Sequence, residues 1–461
     1  MNTSKLLNTS AILLTTLSYA FGMDTNPSQN TNQTLEKKTP KELESKKSLK
    51  TTFLSSDNFS FKAGAEVFSK TSFNNSAIDE AKQVYPTPSY ASILANLGIY
   101  YEKDGFKLGL GGVAGGLLYD STRATLGFIN AEGYNYIGFY AGYSGLGVPN
   151  ITNTRDFIIY DAYLEYENKY IDATLGRFFK ENTWFGGYAQ GINLAFNLGK
   201  GQKITLFGTD SMSIWGSGWL YDFSRLYIPT GVLNLEYELK RDFYNFKLYA
   251  YYGIEDYVAP GASLDLLFGD SKVAYLTKIV AALPIYDSSI NKWGVMQFFG
   301  STSGVTGSVF LRQDVIFNEK YTLGLGLYKN FGNANARFGT YGNPMNIDIW
   351  DNSVLVYGRS LNAAVNPDVF NLLLYTNFEI GKYLDIKLDG RYSTSPMADE
   401  YSLILGLDIF LTSHITYSLK ANYYTNITHA GFDVLTGLAR KDAPGVISDR
   451  SYVMNTIKFE Y

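Results

Sequence analysis

From residue 58 to residue 461 the chain runs in short segments that alternate apolar and polar positions. Along 383–391, Leu384, Ile386 and Leu388 share one face, with Asp385, Lys387, Asp389 and Arg391 on the other. Leu233, Leu235, Tyr237 and Leu239 stand against Asn234, Glu236 and Glu238 in the same way. Ile415, Tyr417, Leu419, Ala421 and Tyr423 stand against Thr416, Ser418, Lys420 and Asn422. A period of two marks strands whose two faces meet different surroundings. Short polar turns join many of these segments, and eight predict hairpins: Lys103-Asp104-Gly105, Asn168-Lys169, Gly199-Lys200-Gly201, Arg241-Asp242, Gly269-Asp270-Ser271, Asn318-Glu319-Lys320, Gly381-Lys382 and Thr412-Ser413. An opening strand near 58–68 and a closing one near 450–461 bring the total to about eighteen, and single-chain bacterial barrels have even numbers. The stretches 293–301 and 353–361 also look extended, which leaves sixteen or twenty open. The connections between hairpins are long, notably 119–156, 211–229, 284–305, 331–367 and 426–449. The expected fold is therefore all-β: a transmembrane antiparallel β-barrel with short periplasmic turns and long extracellular loops.

The start of the chain has a different texture. Lys5, a weak apolar stretch over 6–17 and Ser18-Tyr19-Ala20 fit an export signal, so 1–20 is expected to be a signal peptide. Residues 21–57 are polar, rich in Lys and Glu, and nearly free of aromatics. Such a segment buries too little apolar surface to offset ordering, and is expected to be a flexible periplasmic tail. The barrel is expected over 58–461.

Composition removes other classes. Past residue 20 no apolar run approaches the ~18 residues of a membrane-spanning helix, although hydrophobic residues make 46% of the 461. A net charge of −4 lacks the basic footprint of nucleic-acid binders. The absence of Cys excludes disulfide scaffolds and thiolate metal sites, and His414 and His429 leave little room for a His-based one. Neither histidine stands near a G-x-S-x-G or H-E-x-x-H motif, so no catalytic set, metal or cofactor is expected. No fixed repeat of 20–50 residues supports a propeller or solenoid. Aromatics reach 16%, and Tyr100, Tyr101, Tyr119, Tyr160, Tyr166, Tyr170, Tyr251, Tyr252, Tyr328, Tyr375 and Tyr423 lie near predicted strand ends, where membrane-interface girdles belong.

The last strand alternates Val453, Asn455, Ile457, Phe459 and Tyr461 against Lys458 and Glu460. Its terminal aromatic resembles the signal by which the barrel-assembly machinery recognises outer-membrane proteins, although Tyr replaces the commoner Phe and Asn455 interrupts the apolar face. The block DAYLEYENKYIDATLGRFF at 161–179 resembles the Gly-Arg-aromatic hairpin of OprD-like porins. Together with the length, the exported start and the terminal strand, it makes the chain similar to the Hof-type outer-membrane proteins of Helicobacter and its relatives. The resemblance implies an eighteen-strand channel for small solutes, set among outer-membrane lipid and lipopolysaccharide; it transfers no substrate and leaves monomer and trimer open.

The polar face holds the candidate chemistry. Expected lumen positions include Lys62, Glu66, Asp161, Glu165, Asp172, Glu236, Glu238, Lys247, Arg312, Asp314, Asp385, Lys387, Asp389, Arg391, Asp408, Lys420 and Lys458. Lys387, Arg391, Arg312 and Lys420 would form a positive wall facing acids such as Glu236 and Glu238, so that a transverse field orients polar solutes. Taken one at a time, each of these charges reads more plainly as solvating the barrel interior. Arg177 follows Ile171, Ala173 and Leu175 in outward register; either Gly176 marks a bulge that turns it into the pore, the favoured expectation, or the strand has left the hydrocarbon by that point. Two loops are candidate constrictions, against the plainer reading of surface loops. One carries Trp215, Trp219, Asp222 and Arg225; the other, 331–367, carries Arg337, Asp348, Trp350, Asp351 and Arg359. The leading expectation is a porin passing ions and small polar solutes across the outer membrane. The alternative is an adhesin that presents Tyr134, Tyr136, Tyr140 and Tyr143 on its long loops.

Overall fold

The structure is a computed structural model, and it describes residues 58–73, 89–120, 137–139, 155–224, 231–287, 304–335, 338–345, 347, 360, 362, 366–434, 437 and 439–461. The expected signal and tail lie outside the described residues, as do 293–301 and 353–359. Each of the eight short turns closes a hairpin. The pairs are Tyr90–Lys103 with Phe106–Asp120, Phe157–Glu167 with Ile171–Glu181, Gly186–Gly199 with Gln202–Gly216, and Val232–Lys240 with Tyr244–Gly253. They continue with Tyr257–Gly269 and Val273–Ala282, Gly307–Phe317 and Tyr321–Phe331, Phe370–Ile380 and Leu384–Thr394, and Ala398–Phe410 and Ile415–Thr428.

Phe59–Ser72 opens the wall and Tyr452–Glu460 closes it, paired from Gly64↔Glu460 to Ser72↔Tyr452. Reciprocal bonds between Ala63 and the backbone of Tyr461 extend that seam. The result is a closed antiparallel barrel of eighteen wall strands. Closure at this seam satisfies the edge groups of the first and last strands, which lipid could not. Short additional strands decorate one end: Ile285–Tyr286 pairs with Gly304–Val305, and Val446–Asp449 pairs with the end of Ile415–Thr428.

Local chemistry explains the turns. Gly199, Lys200 and Gly201 all have positive φ, which two glycines make inexpensive. Asn168 and Asp270 each accept two backbone N–H groups two and three residues ahead, and Thr412 Oγ1 does the same. Between the turns the alternation holds: Leu97, Leu110, Leu164, Leu175, Leu235, Leu323, Leu374 and Leu403 are exposed outward.

The tyrosine girdle needs correction. Tyr119, Tyr170, Tyr252 and Tyr423 are exposed on the outside, but Tyr160, Tyr251, Tyr328 and Tyr375 are buried within the barrel. Closeness to a strand end did not decide their side; strand parity did.

Candidate functional site: the barrel interior and its inserted segments

The inner face is charged, but mostly in local pairs. Glu236 accepts from Thr183 at 2.8 Å and meets Lys247 of the neighbouring strand at 3.0 Å. Glu238 accepts from Asn245 and stands 4.0 Å from the same lysine. Arg312 forks onto Asp314 at 3.0 and 2.7 Å, and Tyr375 donates to the other Asp314 oxygen. Arg391 lies 3.6 Å from Glu400, with side chains 1% and 0% exposed. Asp389 is buried on the same inner face. Lys387 and Lys420 are half-buried and share a row across three strands through Gly406, over which the Lys387 stem lies. That row lies across the barrel from Val232–Lys240. The four expected cations thus divide into a lysine row, an Arg312 forked onto Asp314 and a buried Arg391 at ion-pair distance from Glu400.

Both candidate loops turn inward. The strand Gln202–Gly216 outruns the wall and turns back as Trp219–Ser224. At the tip, Gly218 N donates to Glu66 Oε1 at 3.1 Å, and a side chain at Gly218 would collide with Phe68. Glu66 and Phe68 belong to the opening strand, a third of the circumference away, so the hairpin crosses the interior. Trp215 packs on Tyr160 at 4.8 Å and stacks on Tyr188 at 6.1 Å, and Trp219 packs on Tyr221. Asp222 pairs with Arg155, and Ile137–Phe139 runs parallel beside the hairpin. Arg225, the other charged residue named for this loop, lies outside the described residues.

The second segment enters from the far side. Arg312 Nη1 donates to the Met345 carbonyl at 3.0 Å, and Tyr257 donates to Tyr341 at 2.8 Å. Gly342 packs against the backbone of Trp184 and Phe185, and Trp184 meets Phe310 edge-on. Further along, Ser360 donates to Glu400 at 2.6 Å, and Asn362 donates to the carbonyls of Ser393 and Ala398. Of the charged and Trp residues named for this loop, Arg337, Asp348, Trp350, Asp351 and Arg359 lie outside the described residues.

Arg177 is not turned by a bulge. Pairing through Gly176 runs without a shift to both neighbours, and Arg177 keeps the parity of Leu175 and Phe179. Gly176 has φ 121°, and a side chain there would meet the Ala162 carbonyl at 2.2 Å. The register shift lies on the neighbouring strand, where Tyr160 is the extra residue. Arg177 donates from Nε to Gln190 at 2.9 Å and from Nη1 to the Ile159 carbonyl at 3.2 Å, and lies 4.5 Å over Phe223.

Residues 47–461 match a protein family described as "Putative outer membrane protein". The chain belongs to that family. This outer-membrane barrel also superposes on solved structures. OccAB2 of Acinetobacter baumannii aligns with a TM-score of 0.62 at 9% identity, over 88% of this chain and 98% of that one. OccAB1 of the same organism gives 0.61 at 8%, covering 88% and 96%. The outer membrane protein opdK of Pseudomonas aeruginosa gives 0.56 at 10%, covering 88% and 99%. At such identities the likeness is one of fold. None of the curated proteins matches.

The sequence reading missed the anchors of the inserted segments: Phe68, Arg155, Glu400, Asn362 and Tyr341. Each is an ordinary strand or loop residue until the partner that folds onto it is known. Glu66 was placed on the inner face by parity, but its bond to the hairpin tip has no sequence signature.

Proposed function

We propose that this outer-membrane barrel is a porin through which ions and small polar solutes diffuse passively. The observation that carries the reading is a closed eighteen-strand wall with a charged inner face, narrowed by two segments that fold inside it. Trp215, Trp219 and Asp222 sit on the first segment and form one side of the constriction. Arg312, Asp314, Arg391, Glu236 and Glu238 are pore-wall residues whose charges are held in place by partners. Lys387 and Lys420 stand on the same inner face and contribute to the field that a passing solute meets, since ion selectivity follows local charge at the narrow section. Arg177 serves the wall rather than the lumen. The chemistry is passage without a covalent step, so no side chain is assigned a catalytic role. The described parts of 331–367 pack into the barrel, which does not favour an adhesin face there; Tyr134, Tyr136, Tyr140 and Tyr143 lie outside the described residues.

The test is conductance in a planar bilayer, with reversal potentials in a salt gradient. The protein should form ion-permeable channels. Lys387→Gln with Lys420→Gln should shift the reversal potential toward cations without loss of insertion, because lumen substitutions tune selectivity while lipid-face ones change stability. A correctly inserted barrel without conductance would overturn the porin reading. Conductance with unchanged selectivity in the double variant would remove the two lysines from the constriction.

A further inference from the structure

One stretch of wall is split. Phe157–Glu167 and Ile171–Glu181 pair only from Glu167↔Asp172 up to Ala162↔Arg177. Both strands continue past that point. The first keeps its other neighbour to Ala114↔Phe157, and the second keeps its own to Glu181↔Gly186. Above Arg177 the two edges therefore face each other without a ladder. The split lies within the exposed apolar belt: Phe157 is 64% exposed, Ile159 43% and Phe179 37%. Unpaired backbone at this depth must find other partners, and Arg177 supplies one by donating to the Ile159 carbonyl.

Arg177 itself is incompletely matched. It has outward parity, but its guanidinium lies in the split itself, over Phe223 of the inserted hairpin; a cation fully on the lipid face would cost up to ~2–4 kcal/mol at the membrane midplane. Among the described residues no carboxylate stands within ion-pair distance of it, and Nη2 has no hydrogen-bond partner. Around it lies an aromatic chain: Phe179 on Tyr188 at 5.4 Å, Tyr188 on Trp215, and Phe223 beneath the guanidinium.

We propose that this seam is a lateral binding site, opening to the lipid, for a single-chain amphiphile with a carboxylate head. The guanidinium edge at Nη2 takes the head, and Phe157, Ile159 and Phe179 line the chain. Charge complementarity selects an anionic head, because a neutral or cationic one leaves Arg177 unmatched. One free donor edge suits a small carboxylate. The site is separate from passage along the barrel axis, and conductance can be measured independently of it.

The experiment uses the full barrel in phosphatidylcholine nanodiscs at pH 8, titrated with 12-bromododecanoate while tryptophan fluorescence is followed. Trp215, which stacks on Tyr188 next to Phe179, is the reporter. Saturable quenching is expected for the carboxylate, and only linear, partition-type quenching for 12-bromododecanol. Trp215→Phe should remove the saturable part. Arg177→Gln should weaken it at least tenfold, and Arg177→Lys should weaken it less. Linear quenching by the carboxylate, or equal binding of carboxylate and alcohol, would overturn the proposal, as would Arg177→Gln binding like the unaltered protein. If Arg177→Gln fails to insert, the carboxylate–alcohol comparison on the unaltered protein still decides.

Discussion

Replacing Arg312 by Met tests whether the inserted loop is pinned by the wall. Arg312 makes two kinds of contact: the fork onto Asp314, which is 1% exposed, and the bond to the Met345 carbonyl. Removing one partner of a buried pair leaves an uncompensated charge and costs about 3–5 kcal/mol. Loss of the bond to Met345 removes about 1.5–3 kcal/mol from loop docking, the range for a hydrogen bond to a charged group. At 1.4 kcal/mol per factor of ten, the undocked population should rise about 10- to 150-fold. The two effects are separable. Arg312→Met with Asp314→Asn leaves no orphaned carboxylate, so most of the barrel stability should return while the loop stays loosened. Stability is read from the temperature at which the folded band is lost on heat-modifiability gels, and docking from open-channel noise in bilayers. If Arg312→Met is as stable as the unaltered protein, the buried pair does not carry that cost. If the double variant is as quiet as the unaltered channel, Arg312 does not hold the loop.

Two further expectations follow from other sites. Phe459→Ser with Tyr461→Ser should reduce outer-membrane insertion, because both side chains are exposed outward on the closing strand, whose last residue bonds Ala63; a normal yield of heat-modifiable barrel would refute this. His429 lies on a loop, with Nδ1 3.1 Å from the Pro396 carbonyl and Nε2 3.1 Å from Asp399. Burial lowers its affinity for a proton, but the Asp399 contact and the Pro396 carbonyl outweigh it, so His429 titrates above its ordinary value. A raised folded value means this contact is fully present below the unfolded value of about 6.5 and is lost as pH rises through the folded one. Gating noise should grow over that rise, and His429→Gln should flatten the dependence; an NMR titration placing His429 at or below its ordinary value would refute it.

What the chain determines alone is local. The period of two and the turn chemistry of Asn168, Gly199-Lys200-Gly201, Asp270 and Thr412 place eight hairpins, because strand parity and turn geometry depend on neighbours in sequence. The closing strand was legible for the same reason, and Asn455, odd on an outward face, is met there by the Tyr417 hydroxyl at 2.7 Å. Parity also put Arg312, Arg391, Lys387 and Lys420 on the inner side. It could not say which of them meet solvent. That depends on segments that return from distant positions: Ser360 and Asn362 settle near Arg391 and Glu400, and Met345 settles on Arg312. Arg177 shows the same limit, since its surroundings come from a ladder that stops between two strands rather than from any residue beside it. Alternation is a one-dimensional property and survives in the sequence. The filling of a barrel is set by contacts across its diameter, and only the closed wall brings those residues together.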